Sequence, residues 1–459
     1  MSAIEMTAGG VTAAKGFFAA AAAAKIKYQG RTDMAMIYSK APCTAAGTFT
    51  SNVVKASPVL WDRDIVKNGG SVQAVVVNSG IANACTGREG LSMCAAEAEE
   101  AAGVLGIGEK QVLLGSTGVI GMPIPMDRVK AGIEELASEI GTGKGNAFSP
   151  REEAAGADAG TAAARAIMTT DTIAKECACT FRLSDGTKIT MGGMSKGSGM
   201  IHPNMCTMLC FITTDAAISG ECLDLAVHRA VNNSFNMISV DGDTSTNDTC
   251  VVMANGLAGN REITGDGEDF QTFSEALRML TERLAKTMAG DGEGASKIIE
   301  MRVLHADTEE NAKILAKSVV CSSLTKAAVF GRDANWGRIL CALGYSGVSF
   351  DPDKVDLYFI GTGDGSSQSD NKADYLPDEA MISGPCGSFD GDGKNPGYRK
   401  MLIFSNGRAA DYSEEEATAL LSGKAVTIAA DMHEGNAEAA AWGCDLTYDY
   451  VKINADYRS

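Results

Sequence analysis

A glycine-rich segment leads into a β-branched, apolar run in the stretch KGSGMIHPNMCTMLCFITT, residues 196–214. The last eight residues, Thr207–Thr214, carry the side chains typical of a buried strand. By composition alone, Thr207 is the first residue of this core strand. A second interpretation exists because cutting the preceding peptide bond would free an α-amino group that can serve the hydroxyl as a base. The residues themselves leave both interpretations open.

Strand and helix patterns alternate on both sides of this stretch. The run VQAVVV at Val72–Val77 is continuously apolar and predicts a buried strand. Asp127–Ile140 has apolar residues at helical spacing and predicts an amphipathic helix. Similar patterns predict helices at Gly90–Leu105 and Thr272–Met288 and a strand at Gln111–Leu114. A hairpin that turns on Asp185-Gly186 is predicted at Thr180–Met191. We therefore expect an α/β or α+β fold with mixed sheets.

The C-terminal third carries helix-start signals. Two pairs of residues have the spacing of a capping box: Asp307 with Glu310, and Ser413 with Glu416. We expect a helix over Thr308–Val320, and a second helix with Gly423 in its C′ position.

Strand and loop patterns complete the chain. Val426–Ala430 and Leu446–Ile453 are predicted as closing strands. Gly141–Gly160 and Gly361–Tyr398 are rich in glycine without a sustained period, so both are predicted as loops or insertions.

The composition is that of a globular protein with excess acidic residues. Of 459 residues, 40 are Lys or Arg and 58 are Asp or Glu, which gives a formal net charge of −18. A general nucleic-acid binder needs a basic face, so this charge argues against that class. The most apolar run, Gly16–Ala24, is too short to span a bilayer. Thirteen cysteines without a CxxC pair predict a cytoplasmic protein with reduced, mostly buried thiols.

A second glycine-rich turn, Gly115-Ser-Thr-Gly-Val-Ile-Gly121, follows a predicted strand. Turns of this kind direct backbone N–H groups towards one point, where they can stabilise an oxyanion. An ordinary strand-to-helix turn has the same composition, so both interpretations stand.

No metal or phosphate site has comparable support. The chain has four histidines and no HExxH motif, so we expect no zinc site. Asp241-Gly-Asp-Thr-Ser245 lacks the later Gly and Glu of a calcium loop. Gly361-Thr-Gly-Asp-Gly365 departs from the spacing of a dinucleotide-binding turn.

Motifs spread over nearly the whole chain share one pattern. They comprise Asn78–Gly87, Ser116–Gly118, Ile167–Thr172, Lys196–Thr214, Val240–Asp248, Asp291–Ala295, Gly331–Gly337 and Asp445–Ser459. Each motif is weak alone. Together and in this order they resemble the ornithine acetyltransferase (glutamate N-acetyltransferase) family of the cyclic arginine pathway.

The resemblance implies a precursor that cuts itself before a threonine. Here that bond is Cys206–Thr207, and the pieces are residues 1–206 and 207–459, the second with 459 − 206 = 253 residues. The family more often has Ala or Gly where this chain has Cys206. The implied fold is a layered α/β sandwich with mixed sheets, similar to the DmpA-type aminopeptidases. Two copies of each piece are expected to assemble.

The resemblance also assigns site residues by position. Thr207 is the expected nucleophile, and Thr117 and Gly118 the expected oxyanion hole. The expected substrate-binding residues are Thr170, Lys196, Thr207, Glu293, Asn454 and Ser459. Lys196 suits a substrate carboxylate, and Glu293 suits an amine.

The implied reaction transfers an acetyl group from N2-acetyl-L-ornithine to L-glutamate through an ester on Thr207. It needs neither a metal nor a dissociable cofactor, and acetyl-CoA stays open as a second acetyl donor. Two alternatives remain, the first with the same catalytic logic and the second from another class. One is an aminopeptidase or amidase, in which water replaces glutamate. The other is a non-catalytic binding protein, in which the Cys206–Thr207 bond stays intact.

Overall fold

The structure is a computed structural model. It describes residues 3–144, 147–202, 208–361, 369–377, 387–388 and 399–456. Two compact units are present: one combines the chain up to Asn236 with Asp243–Leu284, and the other combines Met237–Gly242 with the chain from Ala285. The division expected at residues 206 and 207 concerns cleavage of the covalent chain, and it stays a prediction.

Strands occur throughout both units. In chain order they are β1 Glu5–Thr7, β2 Phe17–Ala22, β3 Met34–Phe49, β4 Val72–Asn78, β5 Ile81–Ala82, β6 Val112–Ser116, β7 Val119–Ile120, β8 Gly141–Lys144, β9 Ala147–Pro150, β10 Lys175–Arg182, β11 Lys188–Lys196, β12 Leu209–Thr214, β13 Ile238–Ser239, β14 Thr249–Ala254, β15 Ile298–Ala306, β16 Asp356–Gly361, β17 Gly387–Ser388, β18 Arg399–Ser405, β19 Arg408–Ala409, β20 Ala425–Asp431 and β21 Ala437–Cys444.

The helices alternate with these strands. They are α1 Ser57–Lys67, α2 Gly87–Leu105, α3 Met126–Ile140, α4 Ala157–Ala166, α5 Gly220–Asn232, α6 Glu268–Gly290, α7 Glu309–Cys321, α8 Ser323–Gly331, α9 Trp336–Gly344, α10 Glu414–Leu420 and α11 Tyr448–Ala455. Short 3₁₀ turns lie at Glu109–Gln111, Glu152–Ala155, Phe235–Met237 and Lys372–Tyr375. The expected mixed α/β architecture is confirmed.

The first unit is built on a mixed sheet in the order β1-β10-β11-β12-β14-β3-β4-β6, with β2 also paired to β3. Successive strand residues point to opposite faces of a sheet. Met34 and Met36 therefore pack in one apolar cluster with residues of α2 and α3. Ala35 and Ile37 pack in another cluster with residues of α4. Both faces are covered, which explains the continuous apolar run in β4.

The strands on either side of the glycine-rich segment of residues 196–214 lie inside this sheet. The predicted hairpin is confirmed: β10 and β11 pair antiparallel from Lys175↔Ser195 to Arg182↔Lys188. β11 then pairs antiparallel with β12, which places Lys196 opposite Leu209. Every residue of β12 is buried. Lys196 is thereby fixed beside the chain that follows Thr207 in sequence.

The second unit has its own mixed sheet, in the order β13-β21-β15-β20-β16-β18-β17, with β19 paired to β18. β15 pairs parallel with β20 and antiparallel with β21. Helix α7 packs on β15 and β21.

The last predicted strand is wrong. Leu446–Ile453 was expected to be extended because Tyr, Val and Ile favour strands, but Tyr448–Ala455 is helical. Thr447 is the N-cap and its hydroxyl accepts the N–H of Tyr450 at 3.4 Å. Asp449 lies in the first turn, where a negative charge is favourable. The capping residue outweighs the strand preference of the aromatic and β-branched residues.

Three smaller expectations also need correction. The first residue of the α7 cap is Thr308 rather than Asp307, and Thr308 Oγ1 accepts the N–H of Asn311. Ser413 is the N-cap of helix α10 as expected, but the C-cap is Leu421, so Gly423 is not the C′ residue. Gly141–Gly160 was predicted as a loop, whereas it holds the β8–β9 hairpin and the start of α4. The alanine-rich sequence of α4 gives little periodic contrast, and the short strands of the hairpin hold glycine and polar residues that are typical of loops.

The predicted burial of most thiols is confirmed for the described residues, and their reduced state stays a prediction. The cysteines of the described residues are free, and most of them are buried. Among those same residues no single helix is long and apolar enough to cross a membrane, and one bent pair, Glu309–Cys321 with Ser323–Gly331, passes that test only when the two are joined.

Glu97 of α2 is buried and supplies a stability prediction. Burial raises its pKa to about 8, whereas an unfolded Glu titrates near ~4.3. Between these values the unfolded chain releases a proton that the folded chain keeps, so stability falls as pH rises through this window. We expect Glu97→Gln to remove a decline with an upper limit of about 5 kcal/mol between pH 4.3 and 8.

Urea unfolding at pH 5 and pH 8 measures this difference. Glu99→Gln is the matched control, because Glu99 lies on the exposed side of the same helix. A wild-type stability that drops no more than that of Glu97→Gln would contradict the assignment.

Candidate active site

The turn after β6 is held tightly against the turn after β4. The N–H of Thr117 donates to Asn78 O at 3.1 Å, and the N–H of Val119 donates to Gly80 O at 3.1 Å. Gly118 has φ +126°, and a Cβ there would lie 2.7 Å from Ile81 N and closer still to the Gly80 carbonyl. Only glycine fits this position without displacing backbone.

Two hydrogen-bond donors remain available on this turn. The backbone N–H of Thr117 is already used, so Thr117 can contribute only its hydroxyl. The N–H of Gly118 has no hydrogen bond to any of the described residues. A hydroxyl and an adjacent backbone N–H are donors of the kind that stabilise a developing oxyanion.

Lys196 lies next to this turn. Its Nζ donates to Thr117 Oγ1 at 3.2 Å and to Thr169 Oγ1 at 2.9 Å. Only 10% of the Lys196 side chain is exposed, and its Nζ lies 4.0 Å from Asp171 Oδ2. The structure therefore brings Lys196 and Thr117 together, as the predicted site requires.

Asp171 organises the cationic side of this cluster. It accepts hydrogen bonds from Lys175 Nζ at 2.6 Å, Gly197 N at 2.7 Å and Thr169 N at 3.1 Å. Burial alone would raise the pKa of Asp171, but the charges of Lys175 and Lys196 hold that pKa well below its usual range. Asp171 is thus an ionised, fully buried anchor for the end of β11.

Thr170 lies beside these groups. Its hydroxyl is 2.7 Å from Ser198 Oγ, and it is partly exposed. Because Thr170 adjoins Thr169, which accepts a hydrogen bond from Lys196 Nζ, this partly exposed residue is placed where it can contact a small polar ligand.

Asp248 is another buried carboxyl of this unit, and 1% of it is exposed. Burial raises its pKa well above the usual value, against the opposing effect of hydrogen bonds from Ser245, Thr50 and the Met208 N–H. Its Oδ2 has no hydrogen-bond partner in the described part of the chain. Through the Met208 N–H, Asp248 contacts the residue that directly follows Thr207 in sequence.

Asp171 and Asp248 were both present in recognised motifs but received no role from the sequence. The available signal for Asp248 was an aspartate within a Ser/Thr/Asn-rich run directly before a strand. Burial and contacts with residues distant in sequence, which distinguish such an aspartate from a turn residue, do not show in a single sequence.

The second unit brings two other predicted residues together. Asn454 Nδ2 donates to Glu293 Oε2 at 2.7 Å and to Tyr450 O at 3.1 Å. Glu293 is 6% exposed and lies in the connection between α6 and β15. The contact joins that connection to α11.

This connection is held in place by several bonds. Thr447 Oγ1 donates to Gly294 O at 2.7 Å. Asp445 Oδ1 accepts the N–H groups of Ser296 at 2.8 Å and Lys297 at 3.0 Å. Gly294 has φ +68°, and a Cβ there would lie 2.5 Å from Tyr450 N. The carboxylate of Glu293 is therefore presented by a fixed backbone.

The remaining predicted residues lie outside the described part of the chain. They are Cys206 and Thr207, within 203–207, and Ser459, within 457–459. Their roles stay predictions. No group of three or more His, Cys, Asp or Glu side chains that could hold a metal ion occurs among the described residues.

Comparisons with known proteins agree with the motif pattern. The ArgJ family model matches residues 18–459. A protein named arginine biosynthesis bifunctional protein ArgJ, from Symbiobacterium thermophilum, is 47% identical over 458 residues, covering 99% of this chain and 100% of the relative. Another protein, arginine biosynthesis bifunctional protein ArgJ 1 from Clostridium acetobutylicum, is 44% identical and covers 96% of each chain.

Two solved structures are also similar. The ArgJ of Bacillus halodurans is 40% identical, with a TM-score of 0.43 over 53% of this chain and 97% of that one. The ornithine acetyltransferase of Mycobacterium tuberculosis, solved with ornithine, is 38% identical, with a TM-score of 0.38 over 44% of this chain and 99% of that one.

Proposed function

The chain belongs to the ArgJ family, and from this membership we propose that its site carries out acetyl transfer by a threonine nucleophile. The protein is an acetyltransferase of arginine biosynthesis. It moves the acetyl group of N2-acetyl-L-ornithine to L-glutamate. The match over nearly the whole chain carries this conclusion, and the donor pair on the β6 turn supplies the chemistry that the reaction needs.

The nucleophile is proposed to form by cleavage of the Cys206–Thr207 bond. A threonine hydroxyl is a weak nucleophile until a base takes its proton. Cleavage gives Thr207 a free α-amine next to its hydroxyl, and this amine is the proposed base. The products are the pieces 1–206 and 207–459, in the sandwich arrangement expected for DmpA-like proteins and with two copies of each piece in the assembly.

In the first half-reaction, Thr207 Oγ attacks the acetyl carbonyl carbon while the amine takes its proton. The carbonyl oxygen becomes an oxyanion, which accepts hydrogen bonds from the Thr117 hydroxyl and the Gly118 N–H. Each such donor contributes about 10²–10³-fold in comparable acyl-transfer sites. The C–N bond then breaks, the departing nitrogen receives the proton, and ornithine leaves an acetyl ester on Thr207.

In the second half-reaction, the amine of glutamate attacks the ester carbonyl. The same donors hold the oxyanion, the C–O bond breaks, and the proton returns to Thr207. No resident metal or dissociable cofactor enters this scheme. Acetyl-CoA stays a proposed second donor, which would acetylate the same threonine.

Binding roles are proposed for the other predicted residues. Lys196 offers a cation for a substrate carboxylate, and Glu293, held by Asn454, offers an anion for a substrate ammonium. Thr170 and Ser459 are proposed as further polar contacts. An amino-acid biosynthetic role suits the cytoplasm, which we propose as the location.

An acceptor assay tests this function. We expect protein incubated with N2-acetyl-L-ornithine and L-glutamate to release equal amounts of ornithine and N-acetylglutamate, with little free acetate. Acetyl-CoA is tested separately with glutamate alone. Release of acetate without N-acetylglutamate would identify a hydrolase instead, and an unreactive, uncut chain would identify a binding protein.

A further inference from the structure

Lys196, Asp171 and Lys175 form a charged cluster, and Lys196 joins it to the Thr117–Gly118 turn by a hydrogen bond. We propose that Lys196 acts on the acetyl-transfer step through the hydroxyl of Thr117, with Asp171 fixing Lys196 in place. Lys196 and Asp171 are then positioning residues for the oxyanion donor, in addition to any contact that Lys196 makes with a substrate carboxylate. The inference rests on the proposed acetyl-transfer function.

The direction of the Lys196–Thr117 hydrogen bond is set by chemistry. An ammonium group only donates, so Thr117 Oγ1 is the acceptor over the 3.2 Å contact. Because that bond occupies an oxygen lone pair, the hydroxyl proton of Thr117 stays available for a second acceptor. The backbone N–H of Thr117 already donates to Asn78 O, so this hydroxyl proton is what Thr117 can offer an oxyanion.

A hydroxyl that accepts a bond from a cation becomes a stronger donor. Hydrogen bonds in a chain polarise one another, and those involving a charged group are about twice as strong as neutral ones. Lys196 therefore orients the Thr117 hydroxyl and strengthens its hydrogen bond to the oxyanion at the same time.

The charge balance around Lys196 favours an oxyanion. Lys175 and Lys196 together carry two positive charges, and ionised Asp171 carries one negative charge, which leaves +1. Asp248 is another buried carboxyl that interacts with Lys196, and its burial raises its pKa, which opposes ionisation and so weakens its effect on this charge. In a buried site such a charge is weakly screened.

Asp171 explains how Lys196 is kept in position. One oxygen, Oδ1, accepts bonds from Lys175 Nζ and from the N–H of Gly197, the residue after Lys196. The other oxygen, Oδ2, accepts the N–H of Thr169 and lies 4.0 Å from Lys196 Nζ. Asp171 thus ties the segment of Thr169, which accepts a hydrogen bond from the lysine ammonium, to the backbone that directly follows Lys196.

A comparison of two acetyl donors distinguishes the action of Lys196 on Thr117 from binding of a substrate carboxylate by Lys196. N2-acetyl-L-ornithine has a carboxylate, whereas 4-nitrophenyl acetate has none and reports acetylation of Thr207 through release of 4-nitrophenol. We expect Lys196→Met to slow acetylation by both donors by a similar factor, about 10–100-fold, which is below the loss of a whole oxyanion donor. Asp171→Asn should slow both donors by a smaller common factor, roughly 3–10-fold.

Coupling to Thr117 is measured by a double-mutant cycle. Thr117→Ala should cost about 10²-fold, and Lys196→Met added to Thr117→Ala should cost no more than about 3-fold further, because the lysine then has no hydroxyl to act on. Thr117→Ser keeps the hydroxyl and should restore the sensitivity to Lys196→Met. Lys188→Met, at the exposed opposite end of β11, is the control for a general effect on the strand.

Several results would overturn the inference. One is a Lys196→Met variant whose 4-nitrophenyl acetate rate is unchanged while only its KM for N2-acetyl-L-ornithine rises. Another is additive loss in the cycle. If Lys196→Met does not fold, Asp171→Asn decides the matter through its rates with both donors. A wild-type protein that acetylates from neither donor would instead refute the proposed function.

Discussion

Thr207→Ala is expected to leave one uncut chain of 47.6 kDa and to lower acetyl transfer by about 10⁴-fold or more. Alanine has no hydroxyl, so neither the cleavage step nor the acetyl ester can form. A denaturing gel shows the first effect, and release of N-acetylglutamate shows the second. The prediction follows from a single group serving two reactions.

Thr207→Ser is the matched control for this change. Serine keeps both the hydroxyl and, after cleavage, the α-amine, so the chain should still be cut and should keep part of the transfer activity. A Thr207→Ala protein that still runs as two bands would show that cleavage uses another residue.

Gly118→Ala is expected to lower kcat/KM by about 10²–10³-fold, the loss typical of one oxyanion donor. Gly118 has φ +126°, and its added methyl group would meet the carbonyl of Gly80 and the nitrogen of Ile81. These are backbone atoms in a closely bonded pair of turns, so the turn itself must shift. Overpacking of this kind also costs about 1–3 kcal/mol of stability.

Gly121→Ala isolates the steric effect. Gly121 also has positive φ, +79°, but a Cβ there would meet no atom within 4 Å. The Gly121→Ala variant therefore loses only the stability that a left-handed alanine costs, about 1–2 kcal/mol, and should keep near-wild-type kcat/KM. Equal loss of activity in the two variants would contradict the role given to the Gly118 turn.

Local patterns predicted much of the fold because strands buried on both faces have a clear signature. The run at β4 and the hairpin of β10 and β11 are examples. The C-terminal helix α11 escaped because its residues have strand preferences that the Thr447 cap overrides. Residues with weak contrast, such as the alanines of α4, gave no period to detect.

The sequence predicted which residues belong to the candidate site, but it did not predict the hydrogen bonds between them. The motifs supplied Thr117, Gly118 and Lys196, yet not that Lys196 donates to Thr117, since 79 residues separate them. The role of Asp171 depends on bonds to Lys175 and Gly197 that only the folded sheet creates. Such contacts depend on strand pairing, which a single sequence leaves open.

The most direct test of the central claim is the intact mass of the purified protein after incubation with N2-acetyl-L-ornithine and no glutamate. We predict two species, of which the piece with 459 − 206 = 253 residues begins with TMLCF and carries one acetyl group on Thr207. Addition of glutamate should remove that acetyl group and yield N-acetylglutamate. A single species of 47.6 kDa, or a second piece with a different first residue, would contradict the account.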